Sequence, residues 1–386
     1  MIYSRPIPIF ALKRTPIGRL GGTLSHLNSV DLGVAAARSV LDTFPKEHIE
    51  LVVAGQVLQA GCGMNPARQV LLGSGIGENH PAETINMVCG SGLRAVASIA
   101  DSIALGQIQS GLALGMESMS QAPHFLRGLR RGVRLGNSEM VDSILAEGLC
   151  DPTVHLSMGE TAELLADCYG ISREEQDEYA TLSQHRHAAN KSFWAEEIIP
   201  LYAPKTKAAI TEDEHPRPDT TLAALAKLKP AFRPDGTVTA GNSSGVNDGA
   251  AAVVLAAEAF GNDKPSARIL GWSAAGCDPK LMGLGPAFAI RNLTRELGSN
   301  LQDFEAIEIN EAFAAQILAC LRELNLSSEK VNPVGGAIAM GHPIGCSGAR
   351  VLVTLVHHLQ RRGGGRGIAS LCIGGGMGIA LAVAVD

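Results

Sequence analysis

The run N-M-V-C-G-S-G-L-R-A-V, Asn86 to Val96, ends one apolar segment and opens an amphipathic one. Before it, Glu83–Val88 reads as a strand pattern; after it, Leu93, Val96, Ala97, Ala100 and Ala104 recur at the spacing of one buried helix face. A fainter copy, C-S-G-A-R-V-L, lies at Cys346–Leu352, where Ser347, Gly348 and Arg350 match Ser91, Gly92 and Arg94. It too opens a helical pattern, carried by Leu352, Leu355, Val356 and Leu359 and ending near Arg361, Arg362 and Gly363. Short apolar runs at Glu50–Leu58 and Gly111–Met116, and again at Ala250–Ala257, Arg268–Trp272 and Ile307–Asn310, alternate with helical stretches. That alternation is the α/β signature, and the echo points to two similar halves related by duplication.

Between the halves the texture becomes charged and Pro-containing, with a helix expected from Ser172 and a capping-box partner at Glu175. The expected organisation is an N-terminal α/β half at 1–117, completed by about 246–262. An insertion with its own small core follows at 118–245, and a C-terminal α/β half at 263–386. Gly367–Val385 carries no charge and is nearly long enough to span a bilayer. Gly374, Gly375, Gly376 and Gly378 argue against a helix, since each costs about 0.8–1.0 kcal/mol relative to Ala in a helix interior. They suit a reversal between two buried strands, Gly367–Cys372 and Gly378–Val385.

With 386 residues and 46% hydrophobic content the chain can bury the cores of two or three domains. A formal charge of -6 gives no basic footprint, so nucleic acid is not an expected partner. The eight cysteines form no C-x-x-C pair, which speaks against zinc and thioredoxin-like chemistry and favours a reducing cytoplasm. The opening M-I-Y-S-R-P-I-P-I-F has neither the basic stretch nor the apolar core of a targeting peptide, so a cytoplasmic protein without a membrane anchor is expected.

Four segments carry chemistry: N-M-V-C-G-S-G at Asn86–Gly92, N-E-A-F at Asn310–Phe313, G-H-P-I-G at Gly341–Gly345 and C-I-G-G-G at Cys372–Gly376. Together they bring two thiols, an imidazole and a carboxamide to Gly-bordered turns, a set suited to acyl transfer through a thioester. At a strand-to-helix junction the free N–H groups and dipole of the helix favour a Cys89 thiolate, and Gly90 and Gly92 let a substrate carbonyl approach the backbone. The N–H of Cys89 itself suits a developing oxyanion. The alternative is a buried, inert cysteine. His342, in a Gly-Pro loop before a helix, is either a base for that thiol or a hydrogen-bonded turn residue. Cys372 ends a strand and faces the turn, where the N–H of Gly374 is open; it is either a proton-transfer thiol or strand core. Asn310 either caps a helix or holds a water in an oxyanion site.

Taken together, these segments resemble the thiolase family, in its short-chain biosynthetic branch. The resemblance spans essentially the whole chain and includes G-M-E-S-M-S at Gly115–Ser120, R-G-V-R-L-G at Arg131–Gly136, P-A-F at Pro230–Phe232, G-T-V-T-A-G-N-S-S-G at Gly236–Gly245 and N-D-G-A-A at Asn247–Ala251. It implies a thiolase fold: two similar α/β halves with mixed five-stranded sheets, layered α/β/α/β/α, plus an inserted loop domain. It also implies a reversible ping-pong Claisen condensation of two acetyl-CoA to a 3-ketoacyl-CoA plus CoA. Cys89 would be the acyl-accepting nucleophile, His342 its activator and Cys372 the acid/base at the second acetyl unit. His342 with an Asn310-held water would form one oxyanion hole, and the N–H groups of Cys89 and Gly374 the other. CoA is substrate and product, with no further cofactor and no metal.

Family positions for binding CoA correspond to Leu149, Met158, Arg217, Phe232, Ala240, Ser244 and Phe313. Two positions depart from the family pattern: Ser157 stands where short-chain members carry His, and Ala224 where a Ser lies near the adenine. The first implies room for a longer or polar acyl chain, the alternative being a degradative thiolase for such substrates. Phe125–Ser138 resembles the loop that pairs dimers into a homotetramer. A decarboxylating ketoacyl synthase would place two histidines, or His and Asn, about its Cys, whereas here the second thiol in C-I-G-G-G favours the thiolase route. A non-catalytic acyl-CoA-binding scaffold would not need all four groups, and G-S-G-I-G at Gly73–Gly77 lacks dinucleotide-binding spacing.

Overall fold

Alternating Val, Ile, Leu and Ala side chains define most of the strands, and the first strand joins the two halves they form. In the computed structural model, which describes residues 1–202, 208–257 and 264–386, β1 spans Ile2–Arg14. The N-terminal half adds β2 (Leu51–Gly55), β3 (Ala82–Ile85), β4 (Ser110–Ser118) and, after the insertion, β5 (Asn247–Ala256). The C-terminal half supplies β6 (Ala267–Gly276), β7 (Ala306–Ile309), β8 (Gly365–Ile373) and β9 (Met377–Val385). The sheet runs β7-β8-β9-β6-β1-β5-β4-β2-β3, with Gly18–Arg19 paired to β5. β2 is parallel to β3 and β4, and β7 to β8; the other neighbours are antiparallel.

Each half therefore carries the expected mixed sheet, and β1 welds them, with Ile9 opposite Leu255 of β5 on one side and Ala267 of β6 on the other. The C-terminal half owns four strands and completes its sheet with β1. Pro6 and Pro8 obscure this strand in the sequence. They are tolerated because the first part of β1 pairs only with β6, leaving its other edge without a ladder to break. The expected domain boundary near 262 and 263 lies outside the described residues.

The helices that position the site are α1 (Ser29–Leu41), α2 (Pro66–Gly73), α3 (Ser91–Ala104), α4 (Met158–Tyr169), α5 (Arg173–Ala189), α6 (Gly285–Leu297), α7 (Ala314–Leu324) and α8 (Ser347–Arg361). Strand alternation sorts them into layers. On β5, Ala252 and Val254 face the cluster of α1 and α2, whereas Val253 and Leu255 face the cluster of α3 and α8. On β9, Leu381 and Val383 turn to that same central cluster, while Ala380 and Ala382 pack with α6 and α7. The result is α1/α2, sheet, α3/α8, sheet, α6/α7.

The internal echo has a physical origin in the central layer. A Cβ on Gly92 would lie 2.7 Å from the backbone N of Ala349, and one on Gly348 only 2.2 Å from the backbone N of Leu93. The two equivalent glycines are where α3 and α8 cross backbone to backbone.

Gly367–Val385 forms the β8–β9 hairpin, and no helix among the described residues is long and apolar enough to cross a membrane. The helix expected at Ser172 is α5, with Ser172 and Glu175 reciprocally bonded. Among its described residues, the insertion differs from expectation in sharing its apolar clusters with the C-terminal half. Its Met158, Ala162 and Leu165 share a cluster with Met282, Phe313 and Ala315, and Tyr179 and Ala180 join the cluster of α6 and α7. It is a polar segment too lean in large apolar residues to bury itself, so it borrows the C-terminal half.

Candidate active site

Cys89 sits in a clamped turn between β3 and α3. Val88 is held at φ 46, a left-handed conformation unfavourable for a β-branched residue. Three side-chain bonds hold it there: Asn86 Oδ1 accepts the Val88 N–H at 2.9 Å, and Ser91 Oγ accepts the Met87 N–H at 2.8 Å while donating to Val88 O at 2.7 Å. The neighbouring glycines serve packing rather than substrate approach. A Cβ on Gly90 would lie 2.5 Å from Ile373 Cδ1, and Gly92 makes room for α8.

The helix dipole does not prevail at Cys89. Burial pushes the thiol up to about 11, against the pull of the Gly374 and Cys89 N–H groups, with the nearby Glu117 carboxylate adding to the rise. Glu117, at the end of β4, is itself buried and pushed up to about 7, even though it accepts N–H groups from Val57, Leu58 and Gly345 at 3.0, 3.2 and 3.0 Å. One carboxyl thus ties together the loops after β2 and beside His342.

His342 is held from two sides. Its backbone N–H donates to Asn247 Oδ1 at 2.9 Å, and its Nδ1 lies 2.6 Å from Ser347 Oγ, in the first turn of α8. The Ser347 hydroxyl donates to Pro343 O at 2.9 Å, which leaves it as acceptor toward the ring. Nδ1 therefore carries the proton and Nε2 presents a lone pair. Burial, aided by the Arg350 cation, lowers the imidazole to about 3, so it rests neutral.

Cys372, the penultimate residue of β8, is fully buried, and its thiol is raised well above the ordinary range by burial and then by the nearby Cys89 sulfur. The effect of the Cys89 sulfur on Cys372 and the Gly374 N–H directed at Cys89 show the two cysteine segments meeting in one site. Asn310 is buried behind the imidazole. Its Nδ2 lies 3.4 Å from both ring nitrogens, and its Oδ1 accepts from Arg350 Nη2 at 2.9 Å. It caps no helix, because α7 starts four residues later with Phe313 at its N-cap. Glu311 is a structural hub, receiving Tyr179, Ser183, Asn332 and the Ile338 N–H, and so fastens α5 to the C-terminal half.

A cavity of about 220 Å³ collects Cys89, His342, Cys372 and Gly374. Leu149, Met158, Phe232, Ser244 and Phe313 also line it, with the Phe232 and Phe313 rings packed edge to face at 5.9 Å. Arg217 and Ala240 are exposed and lie off this lining. Ser157 lines the cavity as the N-cap of α4: its Oγ accepts the Glu160 N–H at 3.2 Å and Glu160 Oε2 accepts the Ser157 N–H at 2.7 Å. Met119, Leu145, Val246, Met282 and Ile344 complete an apolar wall that no motif announced, since packing residues carry no chemical signature. Glu117, Asn247 and Ser347 were also missed as site residues, although each lies inside one of the sequence motifs or the internal echo.

A mostly apolar chamber with two neutral thiols, a neutral imidazole acceptor and two convergent N–H donors can form and break a thioester and move a proton at carbon. Comparison with known proteins agrees. Residues 7–259 match the family described as "Thiolase, N-terminal domain", and residues 263–385 "Thiolase, C-terminal domain". The chain is 48% identical to an acetyl-CoA acetyltransferase of Chromobacterium violaceum over 387 residues, 98% of this chain and 99% of that one. It is 48% identical to the cytosolic acetyl-CoA acetyltransferase of Rattus norvegicus over 392 residues, covering 98% of each. Among solved structures, human mitochondrial 3-ketoacyl-CoA thiolase in complex with CoA superposes with a TM-score of 0.97 at 43% identity, over 100% of this chain and 99% of that one.

Proposed function

This chain belongs to the thiolase family, and we propose that its reversible Claisen condensation of two acetyl-CoA to acetoacetyl-CoA and CoA runs through an acetyl group carried on Cys89. The observation that carries the assignment is the shared chamber of Cys89, His342, Cys372 and Gly374.

The resting protonation states set the order of steps. His342 Nε2 takes the Cys89 proton as the sulfur attacks the acetyl carbonyl, and the N–H groups of Cys89 and Gly374 receive the oxyanion. Cys372, protonated at rest, gives its proton to the departing CoA sulfur, leaving a thiolate beside an imidazolium. A second acetyl-CoA enters, and the Cys372 thiolate removes its α-proton while His342 and an Asn310-held water stabilise the enolate oxygen. The enolate carbon attacks acetyl-Cys89, the carbon–sulfur bond breaks, and the imidazolium returns its proton to Cys89. Both thiols and the neutral imidazole are regenerated.

CoA is substrate and product, with its pantetheine expected along Leu149, Met158, Phe232, Ser244 and Phe313, and Arg217 and Ala240 further out toward the nucleotide. A cytoplasmic homotetramer fits the cytosolic name of the rat relative and the exposed apolar tip at Leu129, Val133 and Leu135. Ser157 favours a second reading on one point, the acyl chain, because a small hydroxyl on the cavity wall leaves room for more than an acetyl group. Peptide mapping after exposure to acetyl-CoA tests the proposal: one labile acetyl group is expected on Cys89 and none in Cys89→Ser. Persistent absence in the wild-type protein would favour a non-catalytic acyl-CoA-binding scaffold.

A further inference from the structure

Arg350 is a fully buried cation in α8, one helical turn beyond Ser347. Among the described residues, the one hydrogen bond of its guanidinium goes from Nη2 to Asn310 Oδ1, at 2.9 Å; Nε and Nη1 have no protein partner. Burial disfavours its charge, and the nearby buried carboxyls of Glu308, on β7 two residues before Asn310, and Glu197 act in its favour.

The direction of that bond is fixed by chemistry. A guanidinium only donates, so it captures the amide oxygen and turns Nδ2 toward His342. Among the described residues, no other hydrogen bond on that side distinguishes the two ends of the carboxamide. With oxygen turned inward, Asn310 would draw a hydrogen of its water to itself instead of leaving both free for the enolate oxygen. It would also accept a ring N–H and so favour the wrong tautomer of His342. The first turn of α8 thus holds both partners, Ser347 acting on the imidazole and Arg350 on the carboxamide.

We propose that Arg350 is a positioning residue that sets the donor polarity of the Asn310 carboxamide in the enolate-binding site. This rests on the reading of Asn310 given above. The matching Arg94 of α3 plays no such part, since it pairs with Asp101 at 3.4 Å and lies over the Trp272 ring at 4.5 Å.

A double-mutant cycle on kcat tests the proposal. Arg350→Met is expected to lower kcat about 30- to 100-fold, in the range for loss of an oxyanion donor, with KM for acetyl-CoA changed less than about threefold. In an Asn310→Ala background the same change is expected to cost under about threefold, because the residue it acts through is gone. Arg350→Lys, still a pure donor, is expected to retain at least about ten times the activity of Arg350→Met. Equal losses in both backgrounds, or full activity in Arg350→Met, would overturn the proposal. If Arg350→Met does not fold, the pair Arg350→Met with Glu308→Leu, which removes the buried cation together with its neighbouring carboxyl, carries the same cycle. Acetylation of Cys89 is followed in parallel. Its failure in the wild-type protein would sink the functional reading itself, whereas its survival in Arg350→Met is expected.

Discussion

Replacing Gly348 by Ala should damage both stability and turnover, against the ordinary rule that Ala favours a helix by about 1 kcal/mol over Gly. The new Cβ would stand 2.2 Å from the backbone N of Leu93 and 3.1 Å from the backbone C of Gly92. Backbone cannot swing aside as a flexible side chain does, so ordinary contact requires the starts of α3 and α8 to part by roughly 1 Å. Overpacking of this kind costs about 1–3 kcal/mol, and with backbone as the obstacle the upper end applies. After the gain in helix propensity, a net loss of about 2 kcal/mol remains, enough to lower Tm by several degrees. The effect on activity is larger, because Cys89 rides on the start of α3 and His342 is held by the start of α8. A misplacement of about 1 Å between reacting groups costs on the order of 100-fold in kcat. Circular dichroism melting and acetoacetyl-CoA thiolysis measure the two effects. A variant with raised Tm and turnover within about threefold of wild type would refute the claim that the crossing sets the site.

Other outcomes follow from the same geometry. Since burial pushes the Cys89 thiol up to about 11, its alkylation by iodoacetamide should climb roughly tenfold per pH unit from pH 7 to 10, and a plateau near 8.5 would show that burial does not govern it. Ser157→Ala should lower stability by about 1 kcal/mol through loss of the α4 cap, as read by denaturant melting. Ser157→His should shift kcat/KM for thiolysis toward acetoacetyl-CoA and away from longer 3-ketoacyl-CoAs; an unchanged series would remove Ser157 from substrate selection. Leu135, 98% exposed within the Phe125–Ser138 stretch, should be needed for assembly but not for chemistry. If the protein assembles as the proposed homotetramer, light scattering should show tetramers for the wild-type protein and dimers for Leu135→Asp, with kcat retained.

The α/β class, the β8–β9 hairpin and the start of α5 were legible because each has a local signal: alternation, a glycine turn and a capping box. The four chemical segments were legible for a similar reason, since thiols and an imidazole beside glycines are rare combinations. β1 was not, because its prolines hide a strand whose partners lie more than 200 residues away in sequence. The state of Cys89 was misjudged for a related reason. Sequence places it near a helix start, which favours thiolate, but the burial that outweighs this comes from distant segments. Arg350 was visible as an element of the echo, yet its bond to Asn310 exists only because β7 and α8 meet in the fold.

The central claim is that one sulfur carries the acyl group while the other handles the proton at carbon, and exchange of the acetyl-CoA methyl hydrogens in deuterium oxide, followed by NMR, tests it most directly. The wild-type protein should exchange them once Cys89 is acetylated; Cys372→Ala, which also loses the acid for the departing CoA, should acetylate Cys89 more slowly yet show no exchange even after acetylation is complete. Undiminished exchange in Cys372→Ala would contradict the division of labour between the two thiols.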